Sequence, residues 1–254
     1  MTLHRFLVPH LTSQGNVELP SNEAHHASRV LRCSTGDDIM LFDGLGNEAS
    51  ASIQSIDKRN VIATIKSYAF APRDHSGRLH FAIAMPKGDR QRNTIEKLVE
   101  LGVDSLSPLN TNRSVAVVNE DNAERLGRYI IEACKQCGRN RLMSIRPTMG
   151  VSDIRAFLDS DSSTTGGSSE TAVWILHPTF EEQKAFTIHE ANSLANANQN
   201  LLFLIGPEGG FTDEEVREAV RQGARILSLG DRIQRVETAA STAAVLGHCW
   251  LDLE

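Results

Sequence analysis

Residues 201–215 read Leu-Leu-Phe-Leu-Ile-Gly-Pro-Glu-Gly-Gly-Phe-Thr-Asp-Glu-Glu. An unbroken apolar run of this length that stops at a glycine is the pattern of a strand buried on both faces, as in a parallel sheet covered by helices. Thr212 and Glu215 have capping-box spacing, so a helix starts immediately after the loop. Strand, glycine loop and helix together make the unit of an α/β sheet, in which ligands bind beside loops at the carboxyl ends of the strands. Gly206, Gly209 and Gly210 would let backbone approach a ligand with no Cβ in the way. Neither a G-x-G-x-x-G dinucleotide motif nor a G-x-x-x-x-G-K-S/T phosphate loop is present. The acidic Glu208 fits a cationic or polar ligand better than a phosphate. A tight turn with a helix cap accounts for the same residues without any ligand.

The rest of the chain divides by rhythm. Up to about residue 72 the pattern is mostly β. His4–Val8, Ile39–Phe42, Ala49–Ile56 and Val61–Ile65 read as strands, and Ser21–Arg32 as a short helix capped by Ser21. Several short strands with one helix suggest a small barrel. Ala71–Gly77, with proline and glycine near its ends, is the expected linker. Beyond it strands and helices alternate. Strands are expected at Leu79–Met85, Ser105–Leu109, Ala172–Leu176, Leu201–Ile205 and Arg225–Leu229. Helices are expected at Thr94–Leu101, Ala123–Cys137, Phe180–Ala191, Glu214–Gln222 and Thr238–Trp250. Asp159–Glu170 and Asn192–Asn200 read as polar surface loops. The fold class is therefore α/β, with a small β domain over residues 1–72 and a mainly parallel sheet domain over 73–254.

Charge is distributed unevenly. The 254-residue chain carries a formal charge of −6, yet residues 73–146 hold 13 Lys and Arg against 9 Asp and Glu. A basic block in an acidic protein is compatible with a local phosphate-contacting face, although composition alone favours solvated helix faces. No apolar run approaches the ~20 residues of a membrane helix, and the first residues show no secretory pattern, so a cytoplasmic location is expected. Cys33, Cys134, Cys137 and Cys249 are too scattered for a disulfide scaffold. Cys134 and Cys137 form a C-x-x-C inside a helical pattern, read as two small helix residues with a redox or metal role left open. No metal constellation is visible.

A second segment carries chemistry: Leu227-Ser-Leu-Gly-Asp-Arg-Ile-Gln-Arg-Val-Glu-Thr-Ala-Ala240. It too runs from strand through glycine turn to helix. Glu237 suits the first turn of a helix through the dipole. Arg235 places a fork donor beside a glycine loop, which suits a polar substrate or a phosphate.

With these two segments the chain resembles the RsmE family of bacterial ribosomal RNA methyltransferases, of the knotted SPOUT class. Gly206-Pro-Glu-Gly-Gly-Phe211 is similar to that family's glycine loop, and Leu229-Gly-x-Arg-Ile-x-Arg-x-Glu-Thr-Ala239 to its second signature, with Gln234 where a leucine is usual. Val236 is a second mild departure. His4-Arg-Phe6, His25-His26-x-x-Arg29-Val-Leu-Arg32, Lys87-Gly88, Glu96-Lys97, Glu100–Val103, Arg113-Ser-Val115 and Glu132–Arg139 extend the resemblance over nearly the whole chain.

The resemblance implies a PUA-like RNA-binding domain followed by a SPOUT domain that holds S-adenosylmethionine in a deep trefoil knot. It implies a homodimer that methylates N3 of uridine 1498 in 16S ribosomal RNA, within the small subunit. Cofactor contacts are expected from Leu176, His177, Pro178, Gly206, Pro207, Glu208, Gly209, Gly210, Leu229, Gly230, Ile233, Thr238 and Ala239. Arg235, supported by Glu237, is the candidate for stabilising a uracil anion, a phosphate or cofactor-carboxylate contact being the other reading. Glu208 as a base is the lesser reading beside contact with the cofactor or loop amides. RNA phosphate contacts are expected from Arg5, Arg29, Arg32, Lys87, Lys97, Arg113 and Arg139. Two other functions are open: a SPOUT enzyme acting on a ribose 2′-hydroxyl or another base, and a non-catalytic RNA-binding module.

Overall fold

The computed structural model describes residues 3–57, 60–114, 120–165, 171–178, 180, 184–194 and 200–251. The chain forms two compact units. One comprises Met1–Asp74 together with Ile130–Leu142, the other His75–Tyr129 together with Met143–Glu254.

In the first unit, strands β1 (His4–Leu7), β2 (Asn16–Glu18), β3 (Asp38–Phe42), β4 (Asn47–Ile56) and β5 (Val61–Phe70) form one sheet in the order β1-β3-β4-β5-β2. Period-two patterning fixes its inner face. Ala49, Ala51 and Ile53 of β4 are buried in alternation and join Phe6, Ile39, Leu41, Val61 and Ala63 in one core. Register shifts at Ser50/Ala51 and Ile53/Ser55 bend the long β4–β5 pair. Helix α1 (Ser21–His25) is shorter than expected and continues as a π-helical turn, His26–Val30. Its N-cap is Pro20, with no side-chain cap, so Ser21 is the first helical residue and does not cap.

Residues 130–142 bring buried polar groups into this unit. Lys135 Nζ pairs with Glu23 Oε1 at 2.8 Å, both side chains nearly excluded from solvent. Asn140, fully buried, donates from Nδ2 to Glu48 Oε2 at 2.8 Å and to the Ala71 carbonyl at 2.6 Å, and accepts from Arg5. Arg5, half-buried, is thus held by Asn140, and its partial burial pulls its pKa down. Arg139 is buried. Both arginines were expected at RNA phosphates. The burial of Arg139 is at odds with that expectation, because a phosphate must reach the guanidinium from solvent, whereas Arg5 is half-buried and held by Asn140 and Glu48.

The second unit holds strands β6 (Leu79–Ile83), β7 (Ser105–Asn110), β8 (Ser144–Ile145), β9 (Met149–Gly150), β10 (Thr171–Leu176), β11 (Asn200–Ile205) and β12 (Arg225–Leu227). Its helices are α2 (Asp89–Glu100), α3 (Glu120–Cys137, whose last turns belong to the first unit), α4 (Ile154–Thr165), α5 (Ile188–Asn192), α6 (Asp213–Arg221) and α7 (Val236–Leu251). The sheet runs β12-β10-β11-β6-β7-β8, with β9 also on β7, and every pairing is parallel. All six residues of β11 are buried, as its apolar run requires. On one face Phe203 stacks with Phe81 and Trp250 at centroid distances of 5.4 and 5.9 Å, and Trp250 of α7 reaches Trp174 at 5.5 Å. On the other, Val173, Ile175, Leu202, Leu204 and Ile226 meet Val216 and Ala219 of α6 and Ile154 and Phe157 of α4.

Three expected elements differ. Asp159–Glu170 is not a loop as far as it is described: α4 runs to Thr165, drawn into helix by Ile154 and Phe157, which bury one face, while 166–170 lie outside the described residues. Of the helix expected over Phe180–Ala191, residues 181–183 lie outside the described residues, and among the described ones helix is present only at Ile188–Asn192, because Thr187 and Glu190 form a capping box and Phe186 is bridged to Leu227. Helix α2 begins at Asp89, five residues before Thr94, with Gly88 as its N-cap. Much of the expected Asn192–Asn200 loop, residues 195–199, lies outside the described residues.

All four cysteines are free thiols. Cys134 is buried, and desolvation pushes its thiol up to about 12. Cys137 and Cys249 are exposed. Because the thiolate is the reactive form, iodoacetamide at pH 8 should label Cys137 and Cys249 of the native protein and spare Cys134. Mass spectrometry showing Cys134 labelled as fast as Cys137 would contradict this placement.

Candidate active site

In an all-parallel sheet every strand ends at the same edge. Strands β12, β10 and β11 are consecutive neighbours, so the loops that follow them emerge side by side. His177, after β10, donates its backbone N–H to the Leu227 carbonyl at 3.1 Å, tying the start of its loop to the end of β12.

The loop after β11 is built tightly. Gly210 donates its N–H to the Pro207 carbonyl at 2.8 Å and has φ +69°, a conformation that favours glycine. The Phe211 ring is buried against Gly206, where a Cβ would come within 3.0 Å of it. The capping box read from sequence is present: Glu215 N–H donates to Thr212 Oγ1 at 3.3 Å, and Thr212 N–H to Glu215 Oε2 at 2.8 Å. Two further side chains hold the loop. Arg90 of α2 pairs with Glu208 at 2.6 Å, and Arg113 Nη1 donates to the Gly209 carbonyl at 2.6 Å. The loop after β12 turns at Gly230, φ +101°, and ends where the Arg235 carbonyl accepts from Thr238 and Ala239 N–H at 3.0 and 2.9 Å, starting α7.

These three loops enclose a cavity of about 270 Å³. Its wall is mainly glycine and aliphatic carbon, from Leu176, Leu227, Leu229, Val236 and Ala239 among others. His177 Nδ1 and Gln234 Oε1 belong to residues of this wall, are buried, and have no hydrogen-bond partner among the described residues. Buried polar atoms are normally paired, so two orphans at one cavity mark a place where a ligand's polar groups complete the bonding. The cavity is apolar with a few polar groups, as small-molecule sites are.

Of the residues expected at the cofactor, Leu176–Pro178, Gly206–Gly210, Leu229, Gly230, Ile233 and Ala239 all line this cavity, whereas Thr238 does not. Arg235 is exposed, and among the described residues its guanidinium has no hydrogen-bond or ion-pair partner. Glu237 is half-buried with Oε2 unpartnered, and neither it nor Arg235 lines the cavity. Glu208 lines it, but its carboxylate is engaged by Arg90. Sequence reasoning missed Arg90 and the cavity-lining Phe211 and Gln234. It placed Arg113 with RNA, whereas here it touches the glycine loop. Among the other basic candidates, Arg29, Arg32 and Lys87 are exposed, and Lys97 pairs with Glu100 at 2.7 Å.

Comparison with known proteins bears on the same segments. The RNA methyltransferase domain family matches residues 73–246, and the RNA methyltransferase PUA domain family matches residues 19–66. The ribosomal RNA small subunit methyltransferase E of Rickettsia conorii is 30% identical over 250 residues, covering 94% of each chain. The chain belongs to this RNA methyltransferase family. The Bacillus subtilis member is 28% identical over 238 residues, covering 90% of each chain. Among solved structures, one from Legionella pneumophila in complex with the bound cofactor SAM aligns with TM-score 0.83 at 31% identity, covering 97% of each chain. The family's ribosomal RNA small subunit methyltransferase E from Neisseria gonorrhoeae, bound to S-adenosyl methionine, aligns with TM-score 0.80 at 29% identity, covering 96% of each chain. Among the described residues no helix is long and apolar enough to cross a membrane.

Adding a methyl at Gly206 tests how the cavity wall is packed. Gly206→Ala drives a Cβ into the buried Phe211 ring. Overpacking of this kind costs about 1–3 kcal/mol, so urea unfolding should show that loss; a variant as stable as the parent would contradict the close contact.

Proposed function

We propose that the protein is an S-adenosylmethionine-dependent methyltransferase that modifies N3 of uridine 1498 in 16S ribosomal RNA. It acts as a cytoplasmic homodimer on the small ribosomal subunit, with a SPOUT domain whose chain is knotted around the cofactor. The observation that carries this reading is the cavity enclosed by three adjacent strand-end loops, with His177 Nδ1 and Gln234 Oε1 left unpaired beside it.

The residues present fit the cofactor. Aliphatic side chains from Leu176, Leu227, Leu229 and Ala239 suit a purine, while the glycine loops bring backbone polar groups close to it. Bound there, S-adenosylmethionine supplies an electrophilic methyl on a sulfonium. The protein's own part is to align the pyrimidine with that methyl, which is worth several kcal/mol of barrier, and to ease loss of the N3 proton. Arg235 does the latter, since an exposed cation with no internal partner is free to stabilise charge on the uracil carbonyls. Arg29, Arg32 and Lys87, exposed and without ion pairs among the described residues, contact RNA phosphates. Ile233 lines the cavity and is 90% exposed.

Mass spectrometry of 16S RNA from a strain lacking this protein should show loss of 3-methyluridine at one position, restored by the wild-type gene. Loss of a ribose methyl would select the 2′-hydroxyl reading, and an unchanged RNA the non-catalytic one. Arg235→Ala should lower kcat about 10²–10³-fold, the range for removal of one charge-stabilising donor, with affinity for S-adenosylmethionine kept. Unchanged turnover would remove Arg235 from the reaction.

A further inference from the structure

We infer that Arg113 is a positioning residue for the cofactor: it holds the Gly206–Gly210 loop in its binding shape and does not serve RNA phosphate. The inference rests on the cavity being the S-adenosylmethionine site.

Arg113 follows β7, two strands away from β11 in the sheet. It is presented by a turn that closes on itself. Ser114 N–H donates to the Thr111 carbonyl at 3.0 Å, and Thr111 N–H donates to Ser114 Oγ at 3.0 Å. The turn is fastened to α6 as well, because Asn112 N–H donates to Glu215 Oε1 at 2.8 Å. Glu215 is the residue that caps the glycine loop's helix, so one carboxylate sets both the end of that loop and the place from which Arg113 reaches.

The contact between Arg113 and the loop has two parts. The guanidinium donates to the Gly209 carbonyl at 2.6 Å, with the Phe211 carbonyl at 3.5 Å. Charge-assisted bonds of this kind are short and strong. The aliphatic stem lies over the Cα of Gly209: a Cβ there would stand 3.2 Å from Arg113 Cδ and 3.4 Å from its Cβ. The peptide unit is planar, so fixing the Gly209 carbonyl fixes the orientation of the whole Gly209–Gly210 peptide. Gly209, Gly210 and Arg113 all line the cavity. The absence of a side chain at Gly209 is thereby explained by the arginine stem that occupies its Cβ side.

The test measures S-adenosylmethionine binding by calorimetry and binding of a 16S RNA fragment at several salt concentrations. It uses the wild-type chain, Arg113→Ala, Arg113→Lys, Gly209→Ala and the double variant. Arg113→Ala should weaken cofactor binding about tenfold, as expected for loss of a hydrogen bond to a charged group. RNA affinity and its salt dependence should not change. Arg113→Lys, which keeps one donor, should recover part of the loss. Gly209→Ala should weaken cofactor binding in the wild-type background and add little in Arg113→Ala, because the stem it displaces is gone. Normal cofactor affinity in Arg113→Ala, with RNA affinity lowered and its salt slope reduced, would overturn the inference and make Arg113 a phosphate contact. Fully additive penalties would overturn the packing argument for Gly209. A wild-type chain that fails to bind S-adenosylmethionine would overturn the underlying assignment of the cavity, and this inference with it.

Discussion

A strand paired on both sides in a parallel sheet must deliver its carboxyl end to the edge where its neighbours also end. For β11 the obligation is absolute, since all six of its residues are buried and its neighbours β10 and β6 leave no free side. The polar turn that follows cannot remain inside, so Gly206–Gly210 emerges at that edge beside the turns after β10 and β12. Everything at the site descends from this. The cavity exists because three adjacent strands end together, and its wall is backbone and aliphatic carbon because strand-end turns are what remains when the strands stop.

The loop's own sequence does not make it rigid. Its shape is held from several directions: the Thr212–Glu215 capping box closes its far end, the Phe211 ring fills the space beside Gly206, and Arg90 and Arg113 hold Glu208 and Gly209. The ion pair of Arg90 and Glu208 is more than a third exposed on both sides, so water screens it and it contributes little. Arg113 bonds to a carbonyl and packs its stem against Cα, so it acts through shape as well as charge. The cavity is thus framed by arginines that hold its glycine loop.

What is legible in the sequence follows from how local each signal is. The apolar run of β11 and the Thr212–Glu215 spacing encode their structures within a few residues, and both are present as read. So are the turns after β11 and β12, which glycines mark, whereas the turn after β10 has no glycine to announce it. The Thr187–Glu190 box is equally local, yet the residues around it read as one longer helix. Helix α4 is obscured by its Ser/Asp-rich end, because the decision is made by Ile154 and Phe157 packing on the sheet. Partners distant in sequence leave no signal at all. Arg113 reaches Gly209 across 96 positions, and Arg5 reaches Asn140 across 135. The resemblance places both arginines at RNA, whereas one is half-buried in the first unit and held by Asn140, and the other clasps the glycine loop.

That the loops after β10, β11 and β12 jointly enclose the methyl donor is tested most directly by hydrogen–deuterium exchange with and without S-adenosylmethionine, because backbone amides report on each loop separately. Slower exchange is predicted in all three stretches, around His177, Gly206–Gly210 and Leu229–Ile233, with little change in the first unit. Protection confined to one of them, or arising elsewhere in the chain, would contradict the joint enclosure.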